Sequence, residues 1–177
     1  MNLANKITMA RMFLVPIFVA ATYILPDSYA KYVAVGIFLI ASLTDWLDGY
    51  LARKMNEVSN FGKYMDPLAD KLLVSAALIY MVEQGLIFGW IVAIIIGREF
   101  IISGLRLVAS DKGVVISASV WGKLKTIVTM VMIIEVMLEF SHPVFVVFGQ
   151  ILIYLALILT VISATDYIVK NLATFKD

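Results

Sequence analysis

TDWLDGYLARKMNEVSNFGKYMDPLADK, residues 44–71, decides how the rest of the chain is read. It sets Asp45, Asp48, Asp66 and Asp70 in an otherwise apolar sequence. The first pair is spaced three residues apart and the second pair four, so on helices each pair shares a face. Two such helices, packed antiparallel across the polar turn at 56–60, would aim four carboxylates at one point. An intramembrane Asp costs about 2.5–3.5 kcal/mol on insertion scales, and four unpaired ones cost on the order of 10 kcal/mol if the terms add. Positive charge must therefore sit among them. Arg53 and Lys54 can neutralise part of it, but four carboxylates offering only oxygen suit hard divalent cations, Mg2+ or Mn2+. One Asp alone at a helix end is commonly a solvated interface residue. Four at helical spacing, with Gly49 and Arg53 between them, do not fit that description.

The composition agrees with a membrane setting. Of 177 residues 62% are hydrophobic, and the mean hydropathy is +0.97, whereas a soluble domain is about half apolar. A net charge of +1 with no basic run argues against a nucleic-acid partner. The absence of Cys excludes disulfides, thiol nucleophiles and zinc–thiolate sites. No cleavable leader is expected, because the first apolar run leads to Pro26 and Asp27 without a small-residue cleavage pattern.

Taken outward from the acidic stretch, the pattern predicts an all-α integral membrane protein. It has six transmembrane helices, a short amino-terminal interfacial segment and one domain over residues 1–177. The mixed segment 1–11 lies at the surface. A first helix covers about 8–25, with Pro16 as a kink and Pro26 as a stop. The second covers about 29–54. From Tyr32 to Asp45 it rises about 20 Å, against a hydrocarbon core of about 30 Å, which places the acidic cluster inside one leaflet. The third covers about 61–82, with Asp66–Pro67 readable either as a helix start or as a kink in a helix already begun. The fourth covers about 86–108, the fifth about 117–140 and the sixth about 144–169. All of the 14 Lys and Arg except Lys31 fall at the termini, at the second and fourth connections, or in the helix halves adjoining them. The positive-inside rule makes those faces cytoplasmic, so the expected location is the cell membrane, multi-pass, with the site facing the cytoplasm.

Asp45-x2-Asp48-Gly49-x2-Ala52-Arg53-x8-Gly62-x3-Asp66-x3-Asp70 resembles, without departure, the signature of the CDP-alcohol phosphatidyltransferase family. The resemblance implies six membrane helices, usually a homodimer, and displacement of CMP from a CDP-linked lipid by an alcohol. It also implies that Asp45, Asp48 and Asp66 are metal ligands and that Asp70 is both ligand and general base for the acceptor hydroxyl. The residue types suit such chemistry on their own account. A pyrophosphate cannot approach four carboxylates unless metal ions bridge them, and bound metal polarises the phosphoryl oxygens. Phosphoryl transfer is mostly positioning and charge stabilisation. Gly49 and Ala52 belong to the nucleotide side of the site, where Gly49 leaves the backbone bare for a close approach. Arg53 can reach a phosphate oxygen in bidentate fashion.

Asn5, Thr8 and Arg11 recur every three residues on one helical face. They read either as a cap with a snorkelling Arg or, by similarity to the family's amino-terminal pattern, as ligands of the pyrophosphate or cytidine. Ser59, in the turn, is a further candidate contact for the CDP-lipid. A second basic group decides the acceptor. Gly97-Arg98-Glu99-Phe100, Ser103-Gly104-Leu105-Arg106 and Ser119-x2-Gly122-Lys123-x-Lys125-Thr126 resemble the branch of the family that joins CDP-diacylglycerol to glycerol 3-phosphate. Arg106, Lys123 and Lys125 exceed what the Asp cluster needs, and an acceptor carrying its own phosphate accounts for them. Basic residues at cytoplasmic helix ends are also ordinary topology determinants. Arg98 reads equally as a substrate contact or as half of an internal ion pair. The alternatives are the same chemistry with serine, an inositol phosphate or phosphatidylglycerol as acceptor, or a divalent-cation transporter. The transporter predicts polar residues continuing to the far face, where these helices offer almost none.

Overall fold

The computed structural model describes residues 3–55, 60–111, 113–114, 116 and 119–175, leaving aside the side chains of 3–8, 27, 45–55, 60–67, 70 and 172–175. Six helices follow one another: α1 Leu3–Ile24, α2 Asp27–Met55, α3 Asn60–Glu83, α4 Gly89–Asp111, α5 Val120–Leu138 and α6 Pro143–Phe175. No strand occurs among the described residues. Contacts gather them into two compact units, Met1–Tyr80 and Met81–Asp177.

Helix ends fall where backbone chemistry puts them. Pro26 cannot continue α1, and its carbonyl instead accepts the Tyr29 and Ala30 amides at 2.9 Å, opening α2. Gly85, at φ +70°, turns the chain between α3 and α4, a conformation that costs glycine no Cβ clash. Ser119 caps α5, its Oγ accepting the Gly122 amide at 3.2 Å. At the other end Glu139 takes the left-handed conformation, φ 48°, and its amide donates to the Val136 carbonyl.

Several boundaries differ from the expectation by a few residues, and two of them bear on the candidate site. The amino-terminal segment is not separate from the first helix, because α1 is continuous from Leu3 and carries Pro16 within it. Apolar Leu3, Ile7 and Met9 alternate with the polar residues there and give the helix no reason to stop. Asp66 and Pro67 lie inside α3, which begins at Asn60, so the reading of a helix already begun is the correct one.

In the first unit, α1 packs on α2, and α2 carries a stripe of Ala30, Ala34, Phe38 and Ala41, all nearly inaccessible. Small residues at this spacing let helix backbones approach, which is how helices associate where lipid removes the hydrophobic drive. Phe18 of α1 meets Tyr80 of α3 edge to face, with centroids 6.4 Å apart and planes at 88°. Hydroxyls inside the helices satisfy themselves on their own backbone: Thr22 on Val19, Ser42 on Phe38 and Thr44 on Ile40.

In the second unit, α6 packs against both α4 and α5. Its inward face runs Leu152, Ala156, Leu159, Thr160, Ser163 and Tyr167, successive turns of one side. The outward faces stay apolar: Ile40 is 60% exposed, Ile101 61%, Ile127 61% and Ile158 54%. Large aliphatic residues so placed on four helices match a lipid surround. By length and composition alone, α6 is the one described helix able to cross a membrane, with a mean hydropathy of 2.6 over its apolar window. Shorter apolar stretches among the described residues run Met9–Ile24 in α1 and Ser28–Thr44 in α2.

Candidate active site

The acidic pairs lie on the helices that their spacing predicted. Asp45 and Asp48 are in α2, and Asp66 and Asp70 are in α3, so the three- and four-residue separations are helical turns. Gly49, Ala52 and Arg53 follow in the last turns of α2. The side chains of all seven, and Ser59 altogether, lie outside the described residues. What the described structure contributes is backbone: both acidic pairs sit on continuous helices. Four carboxylates gathered at one site would offer oxygen ligands alone, and such a set would fit Mg2+ or Mn2+ in its chemistry.

Asn5 and Thr8 lie on α1, their side chains outside the described set. Arg11, on the same helix, is only 2% exposed and shares a buried stripe with Phe18 and Thr22. A snorkelling arginine keeps its guanidinium in water. Arg11 does not, and its burial on this stripe is the geometry of an inward-directed cation.

The basic group of the second unit is fully described, and its members have separate surroundings. Lys125 lies on the buried face of α5 with Thr129, Met132, Ile133 and Met137. Its Nζ donates to Glu99 Oε1 at 2.6 Å. The same carboxylate oxygen takes the Arg98 guanidinium through Nη1 at 2.9 Å. Adjacent positions on one helix point to different sides, yet a long guanidinium can fold back onto its neighbour, as it does here. Lys123, one turn into α5, is exposed.

Arg106 lies seven residues past Glu99 on α4, about 10 Å further along the axis, with its guanidinium 5.6 Å from the centroid of the Tyr167 ring. This is a cation–π contact between α4 and α6. Arg106 Nε, Arg98 Nε and the Tyr167 hydroxyl are buried without a hydrogen-bond partner, although Tyr167 is only 3% exposed. Nearby on α6, Asp166 pairs with Lys170 at 2.6 Å. Buried donors left open beside surplus positive charge are what an anion would satisfy. Sequence reading passed over Tyr167 and Asp166. Their only signal is one acid and one phenol near the end of a long apolar run.

Comparison with known proteins bears on the family. The family model described as CDP-alcohol phosphatidyltransferase matches residues 1–162, a span that runs through both units. The CDP-diacylglycerol--glycerol-3-phosphate 3-phosphatidyltransferase of Bacillus subtilis is 42% identical, over 99% of this chain and 97% of its own length. The protein of the same name from Haemophilus influenzae is 40% identical, over 94% of this chain and 91% of its own. A probable phosphatidylglycerophosphate synthase of Mycobacterium tuberculosis is 39% identical, over 97% of this chain and 82% of its own. With its acidic signature set on two consecutive helices and matches of this length, the chain belongs to the CDP-alcohol phosphatidyltransferase family.

Proposed function

We propose that this chain transfers the phosphatidyl group of CDP-diacylglycerol to glycerol 3-phosphate, giving phosphatidylglycerol phosphate and CMP. The observation that carries the reading is the combination of the full acidic signature on α2 and α3 with near-full-length relatives named for this reaction. Asp45, Asp48, Asp66 and Asp70 would hold Mg2+ or Mn2+. Such an ion, when bound, supplies charge neutralisation at the pyrophosphate. Asn5, Thr8, Arg11, Gly49, Ala52, Arg53 and Ser59 form the CDP-lipid side. Arg106, Lys123 and Lys125 serve the acceptor phosphate, supported by the unsatisfied donors of Arg106 and Tyr167.

In the step itself the acceptor hydroxyl attacks the lipid-side phosphorus. A new P–O bond forms, the P–O bond to CMP breaks, and the hydroxyl proton passes to Asp70. Holding both substrates in line is the remaining task, and it falls to the cations named above.

The same reading takes all six helices as membrane spans with both chain ends in the cytoplasm. The shortest, α5, has 19 residues, about 28 Å of rise against a hydrocarbon core of about 30 Å. It also takes the protein as a homodimer, as the family resemblance implies; size-exclusion chromatography with light scattering tests this. The decisive assay uses purified protein with CDP-diacylglycerol, radiolabelled glycerol 3-phosphate and Mg2+, followed by identification of the lipid product. Labelled phosphatidylglycerol phosphate is expected. Label incorporation only when serine or an inositol phosphate replaces glycerol 3-phosphate would overturn the acceptor assignment.

A further inference from the structure

We infer that Glu99 is a positioning residue for the acceptor phosphate, holding Lys125 and Arg98 in place, and that Arg98 is a further contact to that phosphate. The inference rests on the acceptor reading above and deepens it.

The geometry begins with one oxygen. Glu99 Oε1 accepts both the Lys125 ammonium, at 2.6 Å, and the Arg98 guanidinium, at 2.9 Å. Three charged groups share the contact, two positive and one negative, so the trio keeps a net positive charge. Lys125 is buried and the other two are partly so: the side chains of Lys125, Arg98 and Glu99 are 3%, 12% and 20% exposed. A cluster of this kind is stable only where its geometry is good, and removing Glu99 would take away the carboxylate that both cations share. Charge-assisted bonds to a shared carboxylate fix the direction of both cations.

The trio also has a place. Arg98 and Glu99 lie mid-way along α4, yet they are level with the start of α5. Arg98 Nη2 lies 3.7 Å from where a Cβ would stand on Gly122, in the first turn of α5, and Lys125 is one turn on. From Glu99 to its end at Asp111, α4 therefore runs about 18 Å further, carrying Arg106 to its contact with Tyr167. The amino-terminal turn of α5 adds its own positive end to this region. Arg98 Nε, inside the region, is buried and bonded to nothing. Its Nη1 is committed to Glu99, so the guanidinium cannot swing away, and Nε remains for an anion. A phosphate monoester is the ligand class that such a fork accepts.

The test is a set of acceptor titrations on purified protein in detergent. Glu99→Gln keeps the shape and removes the charge. It is expected to raise KM for glycerol 3-phosphate about tenfold or more, the value of a charge-assisted hydrogen bond, with KM for CDP-diacylglycerol unchanged. Arg98→Lys is expected to do the same, because an ammonium cannot copy the fork. Glu99→Asp, which keeps the charge, is expected to recover part of the loss in KM. A thermal midpoint lowered in Glu99→Gln with KM for glycerol 3-phosphate at the parental value would mean that Glu99 acts only in stability. Arg106→Ala and Lys123→Ala serve as the control arm. If neither raises KM for glycerol 3-phosphate, the acceptor reading itself fails. If they raise it and Glu99→Gln does not, the positioning role of Glu99 alone is overturned.

Discussion

Asp70 lies one turn beyond Asp66 on α3, and its proposed role as base gives the sharpest expectation for a single side chain. Asp70→Asn keeps size and hydrogen bonding but cannot take a proton, so turnover should fall by about 10²- to 10⁴-fold. A variant with near-parental turnover would remove Asp70 from the reaction. A second expectation concerns Gly149 of α6, where an added Cβ would come within 2.5 Å of Glu135 Oε2 and 3.3 Å of Val136. The Glu135 oxygen has no hydrogen-bond partner of its own, so it rests on bare helix backbone. Gly149→Ala should lower the thermal midpoint, and combining it with Glu135→Ala should recover part of the loss, a coupling of about 0.5–1 kcal/mol. Strict additivity would mean that the carboxylate has room to turn aside. Neither Glu135 nor Gly149 stands out in the sequence, because their meeting depends on how α5 crosses α6 and on no local spacing.

At the scale of the helices, much was legible beforehand. Six apolar runs separated by Pro26, the polar turn at 56–60, Gly85, residues 110–113 and His142–Pro143 became six helices, because each separator removes an amide or permits a turn. The acidic pairs were legible for the same reason, since three- and four-residue spacing is a property of one helix. Ends were less so. The fifth helix begins at Val120 and not near 117, since Ser119 caps it through its own side chain. Ser119→Ala should destabilise the fold by about 1 kcal/mol, read as a lower thermal midpoint, with Ser119→Asn close to the parent. Equal midpoints for all three would show that the cap contributes nothing. Partnerships between helices were not legible at all: Lys125 and Glu99 are 26 residues apart, and nothing in either segment names the other. Arg106 and Tyr167 are further apart still.

For the molecule as a whole, two measurements bear on the reading. Chelation with EDTA should abolish activity, and Mg2+ or Mn2+ should restore it. Activity that survives exhaustive chelation would break the link between the four Asp and a metal. The chain has no Cys, so single cysteines can report topology against a silent background. Replacements at Val58, Lys112 and Lys176 should react with an impermeant maleimide only from the cytoplasmic side, and those at Gln84 and Ser141 only from the outside. Labelling of Gln84→Cys from the cytoplasm would reduce the number of spans. The ion pair between α4 and α5 carries a consequence for how the protein is made. Arg98 and Glu99 already pair within α4, whereas Lys125 of α5 reaches that carboxylate only with the two helices side by side. On the six-span reading proposed above, α5 inserted by itself would take Lys125 into lipid without Glu99, at about 2.5–3.5 kcal/mol. On that reading the two segments would leave the translocon together, as a hairpin, and a ribosome stalled between them would leave α4 waiting at the channel for its mate.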